Sequence, residues 1–146
     1  YIHQSGMEAG NAVADVISGA VTPSGKLTDS WAYNYEDYPN SKTFSHNNGN
    51  VKTEEYIEGI YVGYRYFDSF GVKPLFPFGF GLSYTDFKIQ FCSIEIDKDK
   101  IAVNVSVENI GNTFAGREVV QVYVSLPRGR IEKNTIAWLD MQRQMY

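Results

Sequence analysis

Carboxylates are the side chains of this sequence whose grouping could support acid–base chemistry. Glu54, Glu55 and Glu58 lie close together in the chain, and Glu8 lies between glycines in the stretch QSGMEAGNA. Two carboxyl groups held a few ångströms apart can act together as nucleophile and proton donor. Spacing along the chain does not establish such a pair. The favoured interpretation of the three clustered glutamates is a solvated edge before a strand, because exposed charges contribute little to stability and are common on protein surfaces.

The remaining charged candidates also have structural interpretations. Glu8 lies where a helix is expected to begin, and an acid at that position complements the helix dipole. This capping role is favoured over catalysis. Arg65 and Asp68 are interpreted as a pair that could hold a predicted strand against its neighbours. No residue of the chain is therefore assigned a catalytic role.

Sugar contact is the chemistry open to four aromatic residues, Trp31, Tyr33, Tyr35 and Tyr38. The C–H faces of a pyranose ring stack on aromatic rings, and polar neighbours are expected to keep Tyr35 and Tyr38 near the surface. Packing in the core is the alternative interpretation, and it is favoured, above all for Trp31.

Metal and cofactor sites are not predicted. His3 and His46 lack Cys or carboxylate partners at ligand spacing. The single cysteine, Cys92, has apolar neighbours and is interpreted as a buried small hydrophobe, so no internal disulfide is expected. Asn104 begins an Asn-Val-Ser triplet, the pattern of a glycosylation acceptor, but the triplet falls within a predicted strand and is discounted.

Composition argues against two classes of partner. The formal net charge of -4 argues against nucleic acid, and no run of Lys and Arg marks a membrane surface. An apolar run of about 18 residues, which a membrane span needs, does not occur. The sequence starts at Tyr1 without Met and enters a helix-like pattern at once, so we expect its natural N-terminus upstream and leave the compartment open.

The first half of the sequence predicts one helix, two extended segments and a long loop. Apolar residues at spacings of three and four predict a helix over Met7–Ser18 that stops at Gly19. Extended segments are predicted at Lys26–Trp31 and, from three tyrosines and a valine, at Ile60–Phe67. Between them, the polar residues of Tyr33–Val51 have little periodicity and predict an irregular surface loop.

The second half alternates with period two and predicts an all-β region. Strands are expected over residues 87–96 and 101–107 and at Glu118–Leu126, with a turn at Ile110–Asn112. Three strands are too few for a β-sandwich, which needs about seven. The tail Ile131–Tyr146 resembles neither a continuing strand nor a clean domain end. We therefore expect uncovered apolar faces and a poorly soluble or molten isolated chain.

Four segments together resemble the C-terminal portion of glycoside hydrolase family 3, of the β-glucosidase type. They occur in the order typical of that family and cover most of the chain: GMEAGNAVADVISGAVTPSGKLTDSWA at Gly6–Ala32, EGIYVGYRYFD at Glu58–Asp68, PLFPFGFGLSYTDF at Pro74–Phe87, and VSVENIGNTFAGREVVQVYVSLP at Val105–Pro127. The combination is specific, although a single segment such as FGFGLSY is only moderately so.

The resemblance implies an architecture in two parts. Residues 1–84 would be the C-terminal part of an α/β sandwich domain, and residues 85–146 a truncated, all-β fibronectin type III-like domain. In the family an N-terminal barrel carries the Asp nucleophile, and the acid/base Glu lies in the α/β sandwich domain upstream of the GNAVADV helix. Neither motif is present in this sequence, and no cofactor is implied.

The resemblance also implies a function for a longer parent. The parent would be a retaining, exo-acting β-glucosidase-like hydrolase whose substrate is a β-linked oligosaccharide or glycoside, while this chain alone would be inactive. The alternative is a non-catalytic fibronectin type III-like accessory module that supports a catalytic domain or contacts glycans. Sugar specificity is set mainly by residues that this chain does not contain.

Overall fold

The computed structural model describes residues 6–98, 100–125 and 137–145, together with residues 2, 4, 127, 129 and 133. Two compact units are present: one comprises residues 1–25, 81–120 and 142–146, and the other comprises residues 26–80 and 121–141. The domain boundary expected after Tyr84 stays a prediction. Among the described residues, no helix has both the length and the apolar character that crossing a membrane requires.

Helix α1 (Ala9–Ser18) belongs to the first unit and confirms the helix predicted there. It ends at Gly19, whose φ of 76° is left-handed and therefore favours glycine. Glu8 occupies the N-cap position but its side chain caps no backbone N–H. The Glu8 carboxylate instead accepts a hydrogen bond of 2.6 Å from Asn11 Nδ2, one turn along the helix.

Buried hydroxyl groups connect the segments of the first unit. Thr22 is buried; its Oγ1 lies 3.1 Å from Ser83 Oγ and accepts a hydrogen bond from the backbone N–H of Tyr84. The Tyr84 hydroxyl donates to the carbonyl of Val16 in α1 at 2.9 Å. Thr85, also buried, donates to Asn109 Oδ1 at 2.6 Å. These bonds fix the chain directly after the Pro- and Gly-rich stretch PLFPFGFG at residues 74–81.

Strands β1 (Phe87–Asp97) and β2 (Lys100–Asn109) confirm the first two predicted strands, and they pair as an antiparallel hairpin. Phe91 pairs with Val105 and Ser93 with Asn104, so Cys92 is an extra residue in a β-bulge. The bulge explains a shift of phase in the sequence, where the alternating apolar residues of β1 are odd-numbered up to Phe91 and even-numbered from Ile94. Both sets therefore lie on one face.

That apolar face of the hairpin is not covered. The isoleucines and phenylalanine of β1 that follow Phe87 are exposed, with 66% of Phe91 and 73% of Ile96 accessible. The valines that pair with them on β2 are half-buried. These accessible side chains agree with the uncovered apolar faces expected of a β-region with too few strands, because the alternation is present and its apolar side is accessible in the described chain. Cys92 is likewise exposed and not buried as predicted.

The second unit contains α2 (Tyr64–Phe70), which corrects the strand predicted at Ile60–Phe67. Aromatic residues favour strands, and this propensity produced the error. Tertiary packing decides otherwise, because Phe67 is only 3% exposed and is the buried hydrophobic residue of the described chain. Glycines bracket the helix, with Gly63 at φ 59° before it and Gly71 at φ 66° after it. Both positions disfavour a side chain.

The extended segment predicted at Lys26–Trp31 is reduced to isolated pairing with the segment 75–80. Leu27 and Phe80 are joined by a backbone hydrogen bond of 2.8 Å, and Trp31 and Phe76 form an isolated antiparallel bridge. Between these points Ser30 is buried, and its hydroxyl accepts a hydrogen bond from the backbone N–H of Phe78. A regular strand does not form in this part of the described chain.

The loop predicted at Tyr33–Val51 is irregular, as expected, and contains two short 3₁₀ helices, at Tyr35–Asp37 and Phe44–His46. Asn34 and Asp37 form a reciprocal capping box around the first of them. The loop therefore has fixed local structure near Tyr38.

Strands β3 (Arg117–Val124) and β4 (Ala137–Met145) form a second two-stranded sheet. Strand β3 confirms the third predicted strand, and the turn predicted at Ile110–Asn112 does lie between β2 and β3. The expectation that the tail is not a strand is wrong over Ala137–Met145, where the chain pairs with β3. The remaining residues of the tail lie largely outside the described residues.

Candidate functional site

A pocket of about 150 Å³ lies within the second unit. Its walls come from three places in the sequence: Asp29, the loop residues around Tyr38 and Asn40, and the segment from Glu58 to Phe67 that leads into α2. Two side chains that the sequence singled out for different reasons, Tyr38 and Glu58, are thus brought to one cavity.

Tyr38 is held in the pocket wall from both ends of its side chain. Its hydroxyl accepts a hydrogen bond from the backbone N–H of Ala32 at 3.0 Å. Its ring packs edge-on against Phe67, with the ring centroids 6.0 Å apart. A ring fixed in this way presents a defined surface to the cavity without losing further side-chain freedom.

Gly63 lets the backbone approach Asp29 closely. A Cβ on Gly63 would lie 3.1 Å from Asp29 Oδ1, and the φ of 59° would itself strain any side chain. Asp29 Oδ1 accepts a hydrogen bond of 2.8 Å from the backbone N–H of Ser30, which orients the carboxylate. Oδ2 has no hydrogen-bonded partner within the described residues and retains its capacity to accept.

Three further polar groups of the pocket wall have no side-chain partner among the described residues: the Glu58 carboxylate, the Asn40 carboxamide and the Tyr66 hydroxyl. Glu58 and Asn40 are half-buried, as is Tyr66. The pocket therefore offers carboxylate acceptors, an amide and a phenol beside aromatic surface. Such a wall can accept hydrogen bonds from hydroxyl groups.

The clustered glutamates separate in the structure. Glu58 reaches the pocket, Glu55 is exposed, and Glu54 lies 3.5 Å from His46 Nδ1. His46 Nδ1 also lies 2.7 Å from the carbonyl oxygen of Asn50. A solvated edge describes Glu54 and Glu55 but not Glu58, and a helix follows instead of the expected strand.

The four aromatic candidates also separate. Trp31 packs edge-on against Phe76 at 6.3 Å, whereas the rings of Tyr35 and Tyr38 lie 6.5 Å apart. Tyr33 and Tyr35 are exposed. Tyr38 is the member of this group that lines the pocket.

Arg65 and Asp68 lie on α2, and their predicted pairing stays a prediction. The Arg65 guanidinium lies 5.8 Å from the centre of the Tyr64 ring. Burial raises the pKa of the Asp68 carboxyl above its ordinary value. Burial, followed by the nearby Tyr64 and Asp68, raises the pKa of the Tyr123 hydroxyl as well.

Within the described part of the chain, no three His, Cys, Asp or Glu residues are grouped so that they could hold a metal ion. His3 lies outside the described residues. Asn104 is exposed, and its Nδ2 donates to Ser93 Oγ at 2.9 Å across the hairpin.

Sequence reasoning missed Asp29, Asn40 and Tyr66 as pocket residues. The pocket forms by closure between segments far apart in the chain, and no local pattern reports such closure. Gly63 was the one signal available in the sequence, because a glycine lets another part of the chain approach its backbone closely. The residue that approaches it, Asp29, lies 34 positions earlier in the printed sequence, so the sequence alone does not identify it.

Comparison with known proteins decides the family. Residues 1–64 match the model of the glycosyl hydrolase family 3 C-terminal domain. A β-glucosidase from Kluyveromyces marxianus is 44% identical over 128 residues, which cover 88% of this chain and 15% of that protein. A β-glucosidase from Ruminococcus albus is 45% identical over 134 residues, covering 91% of this chain and 14% of that protein. The chain belongs to glycoside hydrolase family 3.

Solved structures of family members agree. β-glucosidase 3B from Thermotoga neapolitana, in complex with glucose, aligns with a TM-score of 0.87 and 39% identity, covering 97% of this chain and 20% of that one. The glucose complex of the Kluyveromyces marxianus enzyme aligns with a TM-score of 0.85 at 39% identity, over 94% of this chain and 16% of that one. The chain thus spans about one sixth of these relatives. All of these proteins are named β-glucosidases, so the comparisons do not favour the alternative of a non-catalytic accessory module.

Proposed function

We propose that this chain is part of a longer β-glucosidase-type hydrolase that acts on β-linked glycosides or oligosaccharides from their ends and retains anomeric configuration. The observation that carries the proposal is identity above 40% to named β-glucosidases along nearly the whole of this chain. The chain's part in that enzyme is support, since none of its residues is assigned a catalytic role.

The proposed architecture places the end of an α/β sandwich domain in residues 1–84 and the beginning of a fibronectin type III-like domain in residues 85–146. Its support is the uncovered apolar face of the β1–β2 hairpin, including Phe91 and Ile96, which is the kind of face that a second sheet covers in a β-sandwich. Chain beyond these residues would supply the covering strands, and a barrel domain would supply the catalytic nucleophile.

Hydrolysis of p-nitrophenyl β-glucoside and β-xyloside tests the catalytic proposal. The longer protein that contains this sequence is expected to release p-nitrophenol, and the 146-residue chain alone is not. Preference between the two substrates assigns the sugar. Release by the chain alone, abolished by Glu8→Gln, would place the chemistry within these residues and contradict the supporting role.

A further inference from the structure

We propose that the pocket between Asp29, Tyr38, Asn40, Glu58 and Tyr66 binds one ring of a neutral saccharide. The site belongs to this chain itself and does not depend on whether the longer protein hydrolyses glycosides. Its volume of about 150 Å³ lies below the roughly 300 to 1,000 Å³ of pockets for drug-sized ligands, so its occupant is small.

The polar groups of the pocket match a ligand that donates several hydrogen bonds. Asp29 Oδ2 and the Glu58 carboxylate accept only, while the Asn40 carboxamide and the Tyr66 hydroxyl can both accept and donate. Hydroxyl groups of a sugar pair with both kinds of partner. Hydrogen bonds to a carboxylate are also the stronger kind, because the acceptor is charged.

The remaining surface of the pocket matches the C–H groups of the same ligand. The Tyr38 ring supplies the aromatic surface, and its packing against the buried Phe67 ring fixes it before any ligand arrives. A pyranose ring has polar edges and apolar faces, so it can use carboxylates and aromatic rings together. A hard cation such as Ca²⁺ or Mg²⁺ uses only oxygen ligands and leaves the aromatic surface without a role.

Charge defines which saccharides fit. Asp29 and Glu58 both line the pocket and are acidic, and no Lys or Arg lines it in the described part of the chain. A uronic acid would bring a third carboxylate beside two others, which is unfavourable. Glucose is therefore expected to bind, and glucuronate to bind far more weakly.

Equilibrium dialysis with radiolabelled glucose on the longer protein tests the site. Glu58→Gln and Tyr66→Phe remove acceptor charge and a hydroxyl from the pocket, and Glu55→Gln is the matched control at an exposed position. Wild type and Glu55→Gln are expected to bind one more equivalent of glucose than Glu58→Gln. In Glu58→Gln the affinity of the pocket for glucose should fall by about tenfold or more, because a hydrogen bond to a charged group is lost. Tyr66→Phe should weaken the same equivalent.

Each outcome separates this site from the proposed enzyme activity, because glucoside hydrolysis is measured on the same samples. Equal glucose stoichiometry in all four proteins overturns the pocket, whatever their hydrolysis rates. Binding of tetramethylammonium that Glu58→Gln abolishes, without an extra equivalent of glucose in the wild type, would assign the pocket to a cation and also overturn it. A crystal of the longer protein soaked in glucose should show a ring between Tyr38 and Glu58.

Discussion

The pocket region and the β1–β2 hairpin use similar apolar residues in opposite ways. Around the pocket, aromatic rings pack against one another and enclose Phe67, which is 3% exposed. On the hairpin, the apolar residues lie in a regular row, yet Phe91 is 66% exposed. Regular alternation therefore does not by itself bury a side chain, because a row needs a facing partner, whereas clustered rings cover each other.

The largest difference is expected from truncating one phenylalanine in each region. Phe67→Ala removes a buried ring and should lower the free energy of unfolding by about 3 to 5 kcal/mol, the usual cost of such a cavity. Phe91→Ala should change it by less than about 0.5 kcal/mol, as for most surface substitutions. Urea denaturation of the 146-residue chain, in which the apolar row is accessible, measures both, and equal losses would refute the contrast.

Adding one methyl group should have opposite effects in the pocket wall, at Gly63, and in helix α1, at Gly10, because only Gly63 has a left-handed φ. Gly63→Ala is expected to destabilise by about 1 to 3 kcal/mol, because φ is 59° and the new Cβ would lie 3.1 Å from Asp29 Oδ1. Gly10→Ala, inside α1 with nothing within 4 Å of its Cβ, should stabilise by about 0.5 to 1 kcal/mol. Thermal denaturation gives the two signs, and a stabilising Gly63→Ala would remove the role assigned to that close approach.

Polar substitution on the hairpin should alter association more than stability. Ile96→Thr retains a β-branched side chain while removing exposed apolar area, so the 146-residue chain is expected to bind less of a hydrophobic dye and to self-associate less. Glu95→Thr, its neighbour on the other face, serves as the control. If both variants reduce dye binding equally, the apolar row is not the surface responsible.

The smallest effect expected is the pH dependence due to Asp68. Burial raises its folded pKa above the ordinary value of 3.8, so the folded state binds more protons than the unfolded state between those two values. The contribution of Asp68 is therefore full below this window and is lost as pH rises through it. Asp68→Asn should flatten that fall relative to Glu55→Gln in denaturation curves taken at several pH values. Because Asp68 is largely exposed, the difference will be slight.

Local periodicity predicted the elements that depend on local sequence. Helix α1 with its stop at Gly19 and the β1–β2 hairpin were visible because their apolar spacing matches one element each. Helix α2 was not, since seven residues rich in aromatics carry a strand propensity that only the packing of Phe67 overrides. Strand β4 was also missed. It is identified by its pairing with β3, a separate segment of the chain, and not by a pattern in its own residues.

The candidate pocket could be predicted only in pieces. Sugar contact was the less favoured of two interpretations of Tyr38, and Glu58 was weighed as a carboxylate, but their common cavity depends on contacts between residues far apart in sequence. The family itself was predictable, because whole segments such as EGIYVGYRYFD carry it and no three-dimensional information is needed to compare them.

The β-bulge places the single thiol of the chain at an accessible position beside the apolar row. A maleimide fluorophore can therefore be attached to Cys92 without engineering any other residue. Its emission would report the polarity at the hairpin, shifting to shorter wavelength when a neighbouring part of the longer protein excludes water there. Cys92, the extra residue of the β-bulge, is therefore a natural attachment site for a fluorescent probe that reports whether the β1–β2 hairpin is covered.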